Sequence, residues 1–473
     1  MVASIAAAAA VTVGAAARAQ DAPSGWTQFQ GGPGHPGTLA ESPPPPYRER
    51  WRLVASDLDD RALSGAIVLD GIAYTVGDRA VYAVDLERGE VEWELPRAGG
   101  PLSVPAVVPG RGEDPAVLLY LEGPAGTDGE EDGASPSPEE PDGSPSPDSA
   151  SDLVAVELGE RTELWRVALA GPSRTGVTVE DGVAFVGDEA GTVHAVSVSG
   201  GEVLWSEEVA APVDVPLAAA GGLVVAVGRD SDEVTVVVDA FDRDGGGRRW
   251  QLAPQATSTA ISAAAAQDGR VVVGLTDRFV TALDARGDHA WAHLALSSFS
   301  PASAPALDRG TVTIADLTGG VYRLDADDGG RVWGYQLNEL IRRSSPVVSG
   351  GAVLVGLNDG RLVAIDEGSG RLVWENAPSQ GLVGTIALST DVVVAVKGGR
   401  DAGLIAFEHD PDGELVDLPS PTELDPGTTI ARAGAAVAIA LVVVLVPGYL
   451  ARRRFGEAFE EEPEDAGELE GDA

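Results

Sequence analysis

The 473-residue chain is predicted to be all-β: an eight-bladed β-propeller of four-stranded antiparallel blades, plus one C-terminal transmembrane helix. Three observations predict it. A run ending in tryptophan recurs along the chain at a spacing of about 42 residues, a period that belongs to propellers and solenoids. Short β-branched segments bounded by Gly/Asp turns precede each run, which reads as strands rather than helices. One uncharged apolar stretch stands near the C-terminus.

The recurring run is seen in "AVDLERGEVEW", ending at Trp93, and in "AIDEGSGRLVW", ending at Trp374. Further copies end at Trp165, Trp205, Trp250, Trp291 and Trp333, the Trp291 copy being one residue shorter. Ahead of each lies a glycine-opened apolar segment such as "GAVLVG", and earlier still a weaker one such as "SSPVVSG". Four strands per repeat, with no sustained 3.6-residue period between residues 60 and 410, give propeller blades. Each repeated residue has a physical job. Ala83 and Ala364, ten before their tryptophans, are small enough for the next blade to approach. Asp85 and Asp366 cap a turn through a side-chain oxygen. Gly89 and Gly370 permit the positive φ of a tight hairpin. The indole itself is a wedge between sheets.

Seven copies define seven blades. Three more strands follow Trp374, and "RERWRLVASD" places Trp51 one period ahead of Trp93. Trp51 is therefore expected to close an eighth blade with strands near residues 382–408, which hides the sheet edges. The rival fourth strand is Glu414–Leu418, leaving Trp51 outside. Trp26, in "GWTQFQGGPGHPG", precedes the ring and is expected to pack on it as part of a strap over residues 20–47. The propeller is expected over 48–410. It is interrupted at 123–152 by a Ser/Pro/Asp/Glu-rich segment without a core residue, expected to be a disordered acidic loop.

The ends carry targeting signals. Residues 1–19 form an alanine-rich apolar segment closing on Ala17-Arg18-Ala19, which fits signal-peptidase cleavage; a basic n-region is missing, and an uncleaved anchor is the alternative. After a linker at 411–432, residues 433–450 would rise about 27 Å as a helix, close to the roughly 30 Å hydrocarbon core. Arg452, Arg453 and Arg454 follow, against the single Arg432 before it, so the acidic tail 451–473 is placed in the cytoplasm and the propeller outside the cell.

Composition narrows function. The formal charge is −42, from 32 basic and 74 acidic residues, which repels nucleic-acid phosphates. The absence of cysteine removes disulfides, thiolate chemistry and a lipidated N-terminal cysteine. His289 and His293 are four apart in a strand and turn, where that spacing does not build a metal face. The "DADDGG" turn, Asp325–Gly330, lacks the length and terminal glutamate of an EF-hand loop. Arg342 and Arg343 form a local basic spot on an acidic body.

These runs resemble the tryptophan-docking motif of the pyrroloquinoline quinone (PQQ)-like propeller family, A-x-D-x-x-x-G-x-x-x-W, over roughly residues 48–410. Departures are Arg323 for Ala, Glu157 and Ser197 for Asp, and Arg161 for Gly, and those blades are expected to be looser. The resemblance implies one of two branches. Quinoprotein dehydrogenases hold PQQ and calcium at the propeller centre, often beneath a disulfide of adjacent cysteines, and no calcium-binding set of carboxylates and amides stands out here. The non-catalytic BamB-like branch keeps the ring without the cofactor and binds proteins by a face or blade edge. The reading adopted is a membrane-anchored, extracytoplasmic, non-catalytic scaffold for an unknown protein partner, with no catalytic, cofactor or metal residues and no nucleic acid. The alternatives are a PQQ-dependent dehydrogenase and a binder of a glycan or small ligand in the central funnel.

Overall fold

A computed structural model describes residues 25–420, apart from 40, 113, 124–149, 231–234, 255–261, 276–277 and 301–302. The expected signal peptide, the body of the acidic insertion, the membrane helix with its arginines and the tail lie outside the described residues. Among the described residues no helix is long and apolar enough to cross a membrane.

The strands form eight four-stranded antiparallel sheets. Blade 3 is representative: Thr178–Glu180 innermost, then Val183–Gly187, Thr192–Ser197 and Val203–Glu208 outermost. Sequence dictates the gradient across it. The middle strands, such as VAFVG and TVHAVS, are apolar and covered on both faces by neighbouring blades. Outer strands are wetter: the VEWELP strand of blade 1 alternates half-buried and exposed residues. In blades 1 to 7 the pairing of the outer two strands slips by one residue just after the Ala position, as at Ala83/Val84 and Ala364/Ile365. In each such blade the extra residue, the one before Trp, is a β-bulge that bends the strand.

Blade 8 takes Val383–Leu388, Val392–Lys397 and Gly403–His409 from the end of the ring and Tyr47–Val54 from its beginning. Trp51 lies opposite Ala406 in that outer strand. The ring is thus fastened by pairing of distant chain segments. Residues 416–418 do not enter blade 8. They lie against the outer edge of blade 7, where Leu372 and Leu418 exchange backbone hydrogen bonds at 3.0 Å and Val416 N–H donates to Val373 at 2.8 Å.

Candidate functional site

Two places are built by the repeated residues: the rim, where blades meet solvent, and the hub. Around the rim each indole crosses to the following blade. Trp51, Trp165, Trp205, Trp291 and Trp333 donate from Nε1, at 2.8 Å, to the carbonyls of Leu86, Val198, Arg243, Ala326 and Glu367. Trp250 does the same to Ala285 at 3.2 Å. Each acceptor directly follows the Asp position of the next blade's run. The same blade's glycine lies flat beneath the ring: a methyl group at Gly89 would stand 2.5 Å from the Trp51 indole, and one at Gly370 2.6 Å from Trp333. Glycine is required twice over, since φ is +72° at Gly89 and +67° at Gly370. Asp85 accepts from Arg88 N–H at 2.7 Å, and Asp366 from the Ser369 amide at 2.7 Å and hydroxyl at 2.6 Å. These bonds hold the Asp366 carboxyl below its ordinary pKa, the Ser369 hydroxyl being the largest cause. Ala83 and Ala364 are fully buried, directly across the ladder from Trp93 and Trp374.

The departures from the run carry substitute contacts rather than gaps. Arg161 occupies the glycine position at φ +60° and lays its guanidinium 5.4 Å from the centre of the Trp93 ring. Arg323, buried where alanine is usual, reaches Glu367 of blade 7 at 2.7 Å. Glu157 caps its turn by accepting from Gly159 and Glu160 N–H at 2.9 and 2.7 Å. Trp374 meets Tyr47 edge-to-face at 5.1 Å between ring centres, and Phe407 at 5.9 Å. Packing is uneven: Trp291 is 5% exposed, whereas Trp93, Trp165 and Trp250 are only half-buried.

The hub is filled by the chain's own N-terminal strap. The middle residue of each inner strand of blades 1 to 7 hydrogen-bonds to it in turn. Val68 N–H donates to the Trp26 carbonyl and Val107 to Thr27, both at 2.8 Å. Val179 bonds the Gln28 side-chain amide, donating at 2.7 Å and accepting at 3.0 Å. Ala219 donates to Pro33, Ala266 to Gly34, Leu307 to Pro36 and Val348 to Gly37, at 2.7–2.8 Å. The composition of "GGPGHPG" follows from this path. A side chain at Gly34 would collide with the Ala266 carbonyl, and one at Gly37, at φ +64°, would stand 2.6 Å from Ala306. Trp26 and His35 are each 1% exposed. His35 bonds the Ala264 carbonyl through Nδ1 at 2.7 Å and meets the Phe29 ring edge-on; burial pulls its pKa down to about 4. The space left beside Trp26, Phe29 and Thr385 admits about one water molecule, whereas small-molecule pockets start near about 300 Å³. The residues at the centre therefore do not fit a quinone cofactor. The sequence places a strap on the ring; the signal for its threading through the hub is the glycine and proline density beside a tryptophan.

Polar clusters elsewhere serve the blades. Asp188 accepts from His194 Nε2 at 3.0 Å while Nδ1 faces the Ser206 hydroxyl at 3.0 Å. This has the connectivity of a catalytic triad. However, Tyr322 in blade 6 and Tyr82 in blade 1 hold the same position and likewise bond a buried carboxylate, Asp316 at 3.1 Å and Asp60 at 2.6 Å. Asp188 also accepts from the Thr192 and Ala170 amides, so the set is a repeated clamp on strand ends. His289 is exposed while His293 tucks against Tyr322, and the two do not converge. Asp325 and Asp328 cap their own turn through the Asp327 and Gly330 amides. Arg342 and Arg343 are exposed. Among the described residues no three or more His, Asp or Glu side chains could jointly hold a metal ion.

Comparison with known proteins agrees with this geometry. A family model described as "Outer membrane protein assembly factor BamB" matches residues 149–293, 235–381 and 317–416. Among curated relatives, the outer membrane protein assembly factor BamB of Nitrosomonas eutropha is 30% identical over 238 residues, 49% of this chain and 46% of that protein. The BamB of Yersinia pestis is 29% identical over 158 residues, 30% of this chain and 40% of that protein. The chain thus spans less than half the length of each of these relatives. Among solved structures, BamB from Moraxella catarrhalis has a TM-score of 0.55 at 14% identity, covering 77% of this chain and 100% of that one. The computationally designed Ika8 protein has a TM-score of 0.57 at 17% identity, covering 76% and 99%. At such identities the structures speak for the fold alone. With more than half of its residues inside the matched region, the chain belongs to the PQQ-like propeller family whose model is described as outer membrane protein assembly factor BamB.

Proposed function

We propose that this protein is a non-catalytic propeller scaffold that docks other proteins outside the cell, held at the membrane by residues 433–450. The observation that carries the reading is the strap. In a ring of blades the usual place for a small ligand is the centre, and here residues 25–38 occupy it and hydrogen-bond to seven inner strands. Chemistry at the hub would first require that segment to leave. What remains for recognition is the outside of the ring, a surface suited to protein partners. The BamB relatives carry the name of an assembly factor, which supports the same class of role here without transferring their partner. The anchor reading rests on the uncharged stretch at 433–450 and the arginines that follow it.

Co-purification of the full chain from native membranes tests the reading. A stoichiometric protein partner, with a melting temperature indifferent to PQQ and calcium, is the expected result. Stabilisation by PQQ with calcium, together with dye reduction by an alcohol or sugar, would replace the scaffold with the dehydrogenase. Stabilisation by an oligosaccharide alone would favour the ligand-binding alternative. Protease protection of the propeller in intact cells checks its expected extracellular location.

A further inference from the structure

Blade 7 shows what the outer edge of this ring can do. Its outermost strand, Leu372–Glu375, accepts residues 416–418 of the same chain as an added antiparallel segment. The contact has two parts. Leu372 and Val373, the two residues before Trp374, supply the backbone groups, and Arg371 pairs with Asp417. Leu372 is 5% exposed.

Across the eight runs, only one other blade places two aliphatic residues longer than alanine immediately before its tryptophan. In blade 3, Val203 and Leu204 precede Trp205, where blades 1, 2 and 6 have one aliphatic and one charged residue and blade 4 has Arg248 and Arg249. The local geometry is shared. Val203 pairs with Val196 as Leu372 pairs with Ile365, and the next residue is bulged in both blades. Val203–Glu208 is the outermost strand of its sheet. Val203 and Leu204 are each 49% exposed, about tenfold more than Leu372 at its 5%.

The charge is reversed. Glu202 stands where Arg371 stands in blade 7, and Glu207 and Glu208 continue the edge. Arg248, which flanks it, pairs with Asp239 at 3.0 Å and donates to the Glu208 carbonyl at the far end of the strand, away from Glu202–Leu204. A second copy's acidic 414–418 segment, Glu-Leu-Val-Asp-Leu, would bring Asp against Glu202 on a chain whose formal charge is already −42.

We infer that the outer edge of blade 3, at Glu202–Leu204, is a dock for an extended segment of another protein that is apolar and carries arginine or lysine where Asp417 sits in the intramolecular pair. The segment adds as a fifth strand, its backbone bonding Val203 and its cation pairing Glu202. This rests on the scaffold reading and gives it a place and a ligand chemistry.

The test uses the full-length protein and fluorescent peptides read by anisotropy at moderate salt. A peptide containing Arg-Leu-Val-Arg-Leu should bind saturably. The same composition interrupted by proline, which cannot complete the ladder, should bind at least about tenfold more weakly. Glu202→Arg should weaken the basic peptide about tenfold and create binding of Glu-Leu-Val-Asp-Leu. Val332→Lys, on blade 6, should change nothing. Three results would overturn the dock: equal binding of the proline-interrupted peptide, stronger binding of the acidic peptide by the unaltered protein, or indifference to Glu202→Arg. If the peptide behaves as stated and co-purification yields no partner, the scaffold reading falls while the edge stands. If a partner co-purifies and its binding survives Glu202→Arg, the dock falls while the scaffold stands.

Discussion

Every blade has an inner edge at the hub and an outer edge at the rim, and the protein treats them differently. At the hub, the inner strands of blades 1 to 7 are finished by one continuous segment, so backbone groups that would line a channel are bonded to the strap. At the rim, neighbouring blades are joined by side chains, one indole at a time, and among the described residues the outer strands take single contacts, such as Gln336 N–H on Ser420 Oγ, while residues 416–418 run along the edge of blade 7. The hub is therefore a single cooperative seal, whereas the rim is a set of separable joints. A cooperative seal suits a part that must not bind anything; separable joints leave surfaces that can.

Removing residues 25–38 should have the largest effect. Seven inner-strand positions lose their partners at about 0.5–1.5 kcal/mol each, and the burial of Trp26 is lost as well. The expected loss, about 4–10 kcal/mol from these bonds with the burial of Trp26 in addition, would appear in denaturant unfolding as a ring that is no longer stably closed. A fall below about 2 kcal/mol would mean that water replaces the strap and the hub is no seal.

At the rim, Trp291→Ala should cost about 3–5 kcal/mol, because the indole is nearly fully buried and hydrogen-bonded to Ala326. Trp250→Ala should cost about half of that, since Trp250 is half-buried and its bond to Ala285 is 3.2 Å. Equal losses on chemical denaturation would erase the idea of separable joints.

Acid should act on the hub. His35 has a folded pKa of about 4 against an ordinary 6.5, so between these values the unfolded chain binds the extra proton. Its contribution is fully present above pH 6.5 and falls as pH drops toward 4, by about 3 kcal/mol in total. His35→Gln should flatten that part of the pH–stability profile. An unchanged slope would show that His35 titrates normally.

The smallest effect is expected at Arg161. Arg161→Ala removes the cation above Trp93 and leaves a non-glycine residue at φ +60°, for about 0.5–2 kcal/mol. Arg161→Gly removes the same cation but relieves the backbone, and should cost less than alanine. A larger cost for glycine would show that the backbone at position 161 is not strained by a side chain.

The architecture was legible in the sequence because a propeller repeats its instructions. The spacing of Trp93 through Trp374 sets the blade length, and the Asp and Gly positions specify the turns. The placement of Trp51 one period before Trp93 pointed to an outer strand contributed from the start of the chain. Less legible was what replaces the consensus. Arg161, Arg323 and Glu157 read as weak points in one dimension, yet each finds a partner supplied by a neighbouring blade or its own turn. The strap was least legible. "GGPGHPG" has no periodicity, and its glycines take their meaning from Ala266 and Ala306, more than two hundred residues away.

Sequence alone therefore determined the number of blades, their order and the local turn chemistry, because these depend on contacts within one repeat or between adjacent ones. Tertiary structure alone decided that the centre is filled, that residues 416–418 sit on blade 7 and that Val203 and Leu204 of the blade 3 edge stay exposed. Those outcomes depend on where the ring brings chain segments that are far apart in sequence. The energy of such an encounter is not written in either segment by itself.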